Sequence, residues 1–146
     1  MGICWGFLIV VGFCAVGSLL TWHIRRNSRW RVTQARPAQS KRQLWQTYYA
    51  NEGIGEGEFV EMWREIARRA QVDVSRLLPQ DTWKSFADSL PWAMKFDGES
   101  EDLLYWLKAE CKKVGLDYTW EELATADACV RAMLELRKRS KPSTNS

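Results

Sequence analysis

One uncharged apolar run near the start of the chain, 20 residues long, constrains the fold more than any other feature. Residues 3–22 contain no Asp, Glu, Lys or Arg. As a helix rising 1.5 Å per residue, this run is about 30 Å long, which matches the hydrocarbon thickness of a bilayer. A water-facing helix of that length would carry a polar stripe, and this run has none. The sequence therefore predicts one transmembrane helix within an anchor segment at residues 1–24.

A cleaved signal peptide is the alternative interpretation of the same run. Such a peptide would need a basic segment before its apolar part, which the first residues lack. Ala15, Val16 and Gly17 nevertheless form a passable cleavage site. We favour a retained anchor, because the basic residues lie on the other side of the run.

Seven basic residues and no acidic one lie between residues 25 and 42. Because positive charge stays on the cytoplasmic side of a membrane, this stretch predicts an outside N-terminus and a cytoplasmic C-terminal domain. Its partner is expected to be the lipid bilayer rather than nucleic acid, with a solvated orientation signal as an equally good interpretation. The residues expected at the membrane surface are Trp5, Trp22, Arg25, Arg26, Arg29 and Arg31.

The remainder of the chain is acidic and its apolar residues repeat at helical spacing. Residues 43–136 hold all 18 acidic residues against ten basic ones, a net charge of −8. No segment alternates long enough to predict a strand. The sequence therefore predicts an all-α domain. Its clearest apolar stripe, at i, i+3, i+4, i+7, i+8 and i+11, consists of Phe59, Met62, Trp63, Ile66, Ala67 and Ala70.

Capping residues mark where several of these helices begin. Ser40 with Gln43 matches a capping box, and so does Thr119 with Glu122. Thr125 is expected to cap the last helix. These pairs predict helix or turn starts at residues 41, 120 and 126.

Other local signals mark helix ends and loops. Asp81 is expected to cap a short helix, and Ser100 or Asp97 to cap a later one. Gly115 follows the last basic residues of that later helix and predicts a Schellman ending. Residues 51–57 are rich in glycine and are expected to form a flexible hinge. The predicted organisation is an anchor at 1–24, a basic linker with a short helix and the hinge at 25–55, a helical domain at 56–139, and a disordered tail at 140–146.

The order of these features over residues 56–136 resembles the acyl carrier protein family. A long helix is followed by a loop with apolar residues and a proline, then by a helix with an acidic start, a short turn and a threonine-capped last helix. The resemblance implies a four-helix bundle that carries phosphopantetheine on a serine at the start of its second helix. The matching residues are Val72, Asp73, Leu78, Pro79, Trp83, Leu116, Leu123, Thr125, Asp127, Ala128 and Val130.

Two serines each meet part of the requirement for that prosthetic group. By its spacing to Thr125, Ser100 corresponds to the modified serine, but it lies within the acidic run 99–102 rather than in the family's Asp-Ser-Leu context. Ser89 lies in a literal Asp-Ser-Leu triplet, eleven residues earlier, directly before Pro91. A plain helix cap is the favoured interpretation of Ser100, and a loop residue that of Ser89.

Three functions are compatible with this pattern. In the favoured one, the domain carries no prosthetic group and docks a protein partner with a basic surface through Glu99, Glu101 and Asp102. In the second, it is a working carrier with phosphopantetheine on Ser100. In the third, it is a structural subunit of a membrane complex, and its tryptophans form the interface. The tryptophans that cannot all be buried are Trp45, Trp92, Trp106 and Trp120.

An enzyme is not expected, and no catalytic or metal-binding residue is assigned. The one histidine, His23, lies at the predicted membrane edge, and neither GxSxG nor HExxH occurs. The acidic face of the longest predicted helix has no histidine to complete a di-iron site. Cys111 and Cys129 are expected to be buried free thiols.

Overall fold

The part of the chain that the computed structural model describes is helical. It comprises residues 11–21, 23, 33–88 and 99–140, with the side chains of residues 99–101 left aside. Within these residues the β structure is limited to an isolated antiparallel bridge between Thr82 and Thr125. The all-α prediction is therefore confirmed for this part of the chain.

In the described residues between 41 and 140, five α-helices are present. They are α1 (Lys41–Tyr48), α2 (Glu56–Arg69), α3 (Trp83–Asp88), α4 (Glu99–Lys113) and α5 (Ala126–Ser140), with a short 3-10 turn at Ala50–Glu52. Residues 11–21 form a separate helical segment. Among the described residues, no helix has both the length and the apolar character that a membrane crossing requires. The predicted membrane-surface residues Trp5, Trp22, Arg25, Arg26, Arg29 and Arg31 lie outside the described residues.

The predicted helix starts are confirmed. Ser40 and Gln43 form both hydrogen bonds of a capping box, each 3.1 Å long. The backbone N–H of Thr119 donates to the Glu122 carboxylate at 2.7 Å, and the N–H of Glu122 donates to the Thr119 hydroxyl at 3.2 Å. The Thr125 hydroxyl accepts from the third residue of α5 at 3.1 Å. These caps satisfy backbone donors that a helix or turn start leaves without a partner.

The end of α4 is also the predicted Schellman motif. Gly115 has a φ of 77°, in the left-handed region that residues with a Cβ atom rarely adopt. The N–H of Leu116 donates to the carbonyl of Cys111 at 3.0 Å, and that of Gly115 donates to Lys112 at 3.1 Å. This turn lets the chain reverse and bring residues 116–123 back along the surface.

The predicted cap at Asp81 is wrong, and Ser100 does not precede its helix, whereas Asp97, the alternative cap of that helix, lies outside the described residues. Thr82 rather than Asp81 caps α3, because the Thr82 hydroxyl accepts from the N–H of Ser85 at 3.3 Å. The Asp81 carboxylate is buried and binds other partners instead. Helix α4 begins at Glu99, so Ser100 lies inside the first turn rather than before it.

The core lies between α2, α4 and α5, which pack against one another. All six apolar residues predicted for the α2 stripe are buried. The ring of Tyr49 stacks on Phe59 with centroids 4.7 Å apart, and Phe59 stacks on Trp63 at 5.4 Å. Helix α4 adds Leu103, Leu107 and Cys111 to this core, and α5 adds residues from Ala126 to Met133. Because α4 buries this side, its other side is left at the surface.

A set of hydrogen bonds holds the end of the basic linker on the loop before α3. One guanidinium nitrogen of Arg36 donates to both carboxylate oxygens of Asp81. The N–H of Gln39 donates to the carbonyl of Ser75 at 2.7 Å. The Arg76 side chain donates to the carbonyl of Gln34. We call these contacts between residues 34–39 and 75–81 the linker clamp.

Candidate docking surface on helix α4

The exposed side of α4 carries an acid, an aromatic ring and a base in successive turns. Asp102, Tyr105 and Lys112 are exposed, and Lys108 between them is half-buried. These residues follow one another at spacings of three or four, which places them on one side of a helix. The opposite side forms the core described above. Helix α4 therefore presents a surface of its own to solvent.

Tyr105 and Trp120 form the prominent aromatic contact of this surface. Tyr105 is 58% exposed and Trp120 is 40% exposed. Their ring centroids lie 4.8 Å apart at an interplanar angle of 75°, an edge-to-face arrangement. The ammonium of Lys108 lies 4.4 Å from the centroid of the Trp120 ring, at cation–π distance. We call Asp102, Tyr105, Lys108, Trp120 and Glu121 the α4 surface.

Local sequence explains why Trp120 reaches α4. The Schellman turn at Gly115 reverses the chain, and the capping box of Thr119 and Glu122 then fixes the turn that contains Trp120. Leu123, directly after that turn, is fully buried. Trp120 is thus held between two anchored points, with its ring on Tyr105.

The segment that carries Trp120 is strongly acidic. Residues 114–130 contain four acidic residues and no Lys or Arg. Asp117 and Glu121 are exposed. The N–H and then the hydroxyl of Thr119 hold the pKa of Glu122 below its usual value, so this carboxylate stays ionised. The chemistry of the α4 surface is therefore that of an aromatic patch bordered by negative charge.

The residues assigned from sequence lie at the start of α4, or beyond the described part. Asp102 is exposed in the first turn. The backbones of Glu99, Ser100 and Glu101 are helical, and their side chains lie outside the description. Ser89 lies outside the described residues.

Sequence reasoning missed Tyr105 and Lys108. A signal for Tyr105 was present, since it lies off the leucine stripe of its helix and interrupts a polar face. No local signal identifies Lys108 as the partner of Trp120, because that contact depends on the chain reversal after α4.

Two of the other three tryptophans that were expected at an interface, Trp45 and Trp106, are engaged in internal contacts. The indole N–H of Trp45 donates to the carbonyl of Ile54 at 2.8 Å. The guanidinium of Arg69 lies 3.8 Å from the centroid of the half-buried Trp106 ring. Trp92 lies outside the described residues. Of the four, Trp120 alone is exposed in the described part.

A surface groove elsewhere on the domain is lined by residues that form ion pairs with one another. It has a volume of about 440 Å³ and lies between the 3-10 turn, the start of α2 and the end of α5. Arg131 pairs with Glu52 at 2.9 Å, and Arg137 pairs with Glu58 at 3.8 Å. Because these charged groups already have partners, we interpret the ion pairs as links between elements and not as a binding site.

The two cysteines of the core are free and buried, as predicted. Burial raises the pKa of the Cys129 thiol to about 12 and also raises the pKa of Cys111. Both thiols are thus far from the thiolate form that reacts. Among the described residues, no group of three or more His, Cys, Asp or Glu side chains is arranged to hold a metal ion.

The α4 surface offers carboxylates and aromatic faces, which bind cationic and apolar groups. It lies on a rigid helix and an anchored turn, so its groups are held in place before a partner arrives. No protein-family model, curated protein or solved structure matches the chain.

Proposed function

We propose that this chain is a membrane-tethered, acyl-carrier-like helical module that docks a basic protein surface and carries out no catalysis. The observation that carries the proposal is the exposed Tyr105–Trp120 pair, with the exposed carboxylates of Asp102 and Glu121 beside it in the sequence. Helix α4 also carries Lys108, Lys112 and Lys113, but the segment that follows it, residues 114–130, has four acidic residues and no Lys or Arg. The other clusters of positive charge lie in the linker and in the last turn of α5. Such separation of charge steers a basic partner to one face of a domain.

The tether is supported by the helical segment 11–21. Its apolar side chains stand exposed, and Phe13 reaches 78%. Its two polar hydroxyls are satisfied inside the helix, from Ser18 to the carbonyl of Cys14 at 2.8 Å and from Thr21 to that of Gly17 at 2.7 Å. A lipid environment favours both features, because it solvates apolar surface and leaves no water for polar groups. With the basic linker on the cytoplasmic side, the module would lie in the cytoplasm.

Thiol labelling in proteoliposomes tests the tether. Cys14 is exposed on that segment, so a water-soluble maleimide should label it in denaturant and leave it unlabelled in the bilayer. A cysteine introduced by Gln46→Cys, at an exposed position of α1, should be labelled in both conditions. Equal labelling of both positions in intact proteoliposomes would argue against a span.

Photo-crosslinking tests docking. A photoreactive amino acid at position 102 of the full chain, in native membranes, should form one discrete adduct with a partner protein. The matched control is the same amino acid at Lys84, an exposed position of α3. The absence of an adduct at position 102, or the same adduct from both positions, would contradict the proposed function.

The carrier alternative places phosphopantetheine on Ser100, inside the first turn of α4. The motif order and the acidic character of the domain are what support it. Intact-mass measurement of protein from the native host distinguishes the two functions. An unmodified mass agrees with a docking module, whereas a mass increment that Ser100→Ala removes and Ser89→Ala retains would establish a carrier.

A structural subunit of a membrane complex is the second candidate that an observation favours. The exposed Tyr105–Trp120 pair is the type of contact that permanent interfaces bury. This function requires that the chain be purified in mild detergent as part of a stoichiometric complex. A single monomeric mass in that detergent would exclude it.

A further inference from the structure

The Tyr105–Trp120 pair is organised before any partner binds. Its edge-to-face contact at 4.8 Å and the Lys108 ammonium at 4.4 Å hold the Trp120 ring from two directions. The turn below the ring is fixed by the capping box of Thr119 and Glu122. A side chain that is already fixed loses little conformational entropy on binding. Tyr and Trp are also the residues that most often dominate binding energy at protein interfaces.

Negative charge borders the pair along both segments that form it. Asp102 lies one helical turn before Tyr105, and Glu121 directly follows Trp120. Asp117 adds a third exposed carboxylate in the same loop. The charge of Lys108 is directed onto the Trp120 ring. Lys112 is exposed one turn beyond Lys108, so the negative border is supplied by Asp102, Asp117 and Glu121. A ligand that covers the aromatic pair is therefore favoured when it brings positive charge to these carboxylates.

We infer that the Tyr105–Trp120 pair is the docking site for a basic amphipathic helix of a partner protein. An apolar side chain of that helix packs on the two rings, and its Arg or Lys side chains contact Asp102 and Glu121. This inference rests on the proposed docking function and adds the residues that supply most of the affinity. It also defines the partner as both cationic and apolar on one face.

A membrane surface is the other occupant that an exposed Tyr and Trp could suggest. The bordering carboxylates oppose it, because anionic headgroups repel them. A basic protein helix satisfies both the aromatic and the acidic part of the surface. The two occupants are distinguished by their response to lipid charge.

The test uses the full chain in phosphatidylcholine nanodiscs, with fluorine-labelled tryptophan and fluorine NMR. The probe is a synthetic helical peptide with Leu and Arg at amphipathic spacing, and its counterpart carries Glu in place of Arg. The Trp120 signal, identified by its loss in Trp120→Phe, should shift and saturate with the Arg peptide and stay in place with the Glu peptide.

Variants locate the binding energy. Tyr105→Ala, read through the Trp120 signal, should weaken binding of the Arg peptide by about tenfold or more, the size of a typical hot-spot effect. The matched control is Tyr48→Ala. Tyr48 is 42% exposed, a fraction similar to the 40% of Trp120, and it lies on a different helix, α1. Tyr48→Ala should bind the peptide as the wild type does. Far-UV circular dichroism checks that each variant remains helical, and Tyr105→Ala changes only a surface side chain.

Three results would overturn the inference. They are the absence of a saturable shift, equal affinity for the two peptides, and equal affinity of the Tyr105→Ala and wild-type chains. A Trp120 shift produced by phosphatidylserine in the nanodisc without peptide would assign the surface to the membrane and also overturn it. If the position-102 cross-link forms while the Tyr105→Ala chain binds normally, the proposed function stands and this inference fails.

Discussion

One guanidinium nitrogen of Arg36 lies 2.7 Å from each carboxylate oxygen of Asp81. The Asp81 side chain is only 4% exposed, and it also accepts from the N–H of Leu78 at 2.8 Å. This pair joins residues that are 45 positions apart in the chain. It is the centre of the linker clamp and links the basic linker to the loop that leads into α3.

Arg36→Ala should lower the free energy of unfolding by about 2 kcal/mol, because it leaves the buried Asp81 carboxylate without its cation. Urea unfolding of the full chain in detergent micelles measures the loss. Arg42→Ala is the control, since its guanidinium lies 4.0 Å from Glu56 and both groups are exposed. That exposed pair should contribute less than about 0.5 kcal/mol. Equal losses would contradict the clamp.

Stability should fall above pH 10 because of Tyr49. Burial, and then its hydrogen bond to Asp127 at 2.8 Å, raise the pKa of Tyr49 above its ordinary value of 10. The unfolded chain therefore loses this proton at lower pH than the folded chain, and unfolding becomes easier as pH rises through that range. Tyr49→Phe should flatten this part of the pH curve in urea unfolding.

The matched control for removing a phenolic hydroxyl is Tyr48→Phe, at the neighbouring exposed residue. At pH 8, Tyr49→Phe should also lower the free energy of unfolding by about 1 kcal/mol through the lost hydrogen bond. An unchanged alkaline slope in Tyr49→Phe would show that this hydroxyl does not control stability at high pH.

Acid should weaken the fold partly through Glu65. Its hydrogen bond from Arg68 is the largest of the effects that lower the pKa of this carboxyl from 4.5 to about 2. A lowered pKa stabilises the folded chain above pH 4.5, and that stabilisation disappears as pH falls toward 2. The thermal unfolding midpoint should therefore fall less steeply between pH 5 and pH 3 in Glu65→Gln than in the wild type. Replacement of both Arg68 and Arg69 by Gln should reduce this pH dependence in the same way. A pH dependence equal to that of the wild type in both variants would refute the role of Glu65.

Two glycines should respond to alanine in opposite directions. Gly115 has a φ of 77°, so Gly115→Ala should lower the free energy of unfolding by about 1 kcal/mol. Gly57 lies inside α2, where an added Cβ has no atom within 4 Å, so Gly57→Ala should raise stability by about 0.5–1 kcal/mol. Chemical denaturation of the two variants, side by side, measures both. A gain in stability in Gly115→Ala would contradict the Schellman turn, and a loss in Gly57→Ala would contradict the open space beside Gly57.

The core thiols should resist alkylation until the domain unfolds. Cys111 and Cys129 are buried and their pKa values are raised, so the thiolate is scarce and shielded. Peptide mapping after iodoacetamide treatment at pH 8 should find both cysteines unmodified in buffer. Both should be modified in about 6 M guanidinium chloride, which unfolds even stable domains. Rapid labelling of either cysteine in buffer would place it outside the core.

The local parts of the fold were readable from sequence because they depend on residues a few positions apart. The Ser40–Gln43 box, the Gly115 turn and the α2 stripe all belong to this class. Two long-range contacts could not be predicted in this way. The Arg36–Asp81 pair of the linker clamp joins residues 45 positions apart, and the Tyr49–Asp127 hydrogen bond joins residues 78 positions apart. Asp81 shows how a local helix cap and a long-range ion pair compete for the same side chain.

An aspartate directly before a short helix looks like its cap. Asp81 was predicted in that role for this reason, but Arg36 and the N–H of Leu78 take its carboxylate. Thr82 then supplies the cap from the next position. For the docking surface, the acid at position 102 was predictable, whereas the contact of Trp120 with Lys108 required the chain reversal after α4.

The linker clamp has a geometric consequence for a chain held at a bilayer. Because residues 34–39 are bound to the domain, only residues 22–33 separate it from the helical segment 11–21. Twelve residues, fully extended, span at most roughly 40 Å. The module would sample a thin layer beside the membrane, so a partner anchored in the same membrane meets it at a raised effective concentration. Docking could then rely on a weak contact, because the search takes place in two dimensions.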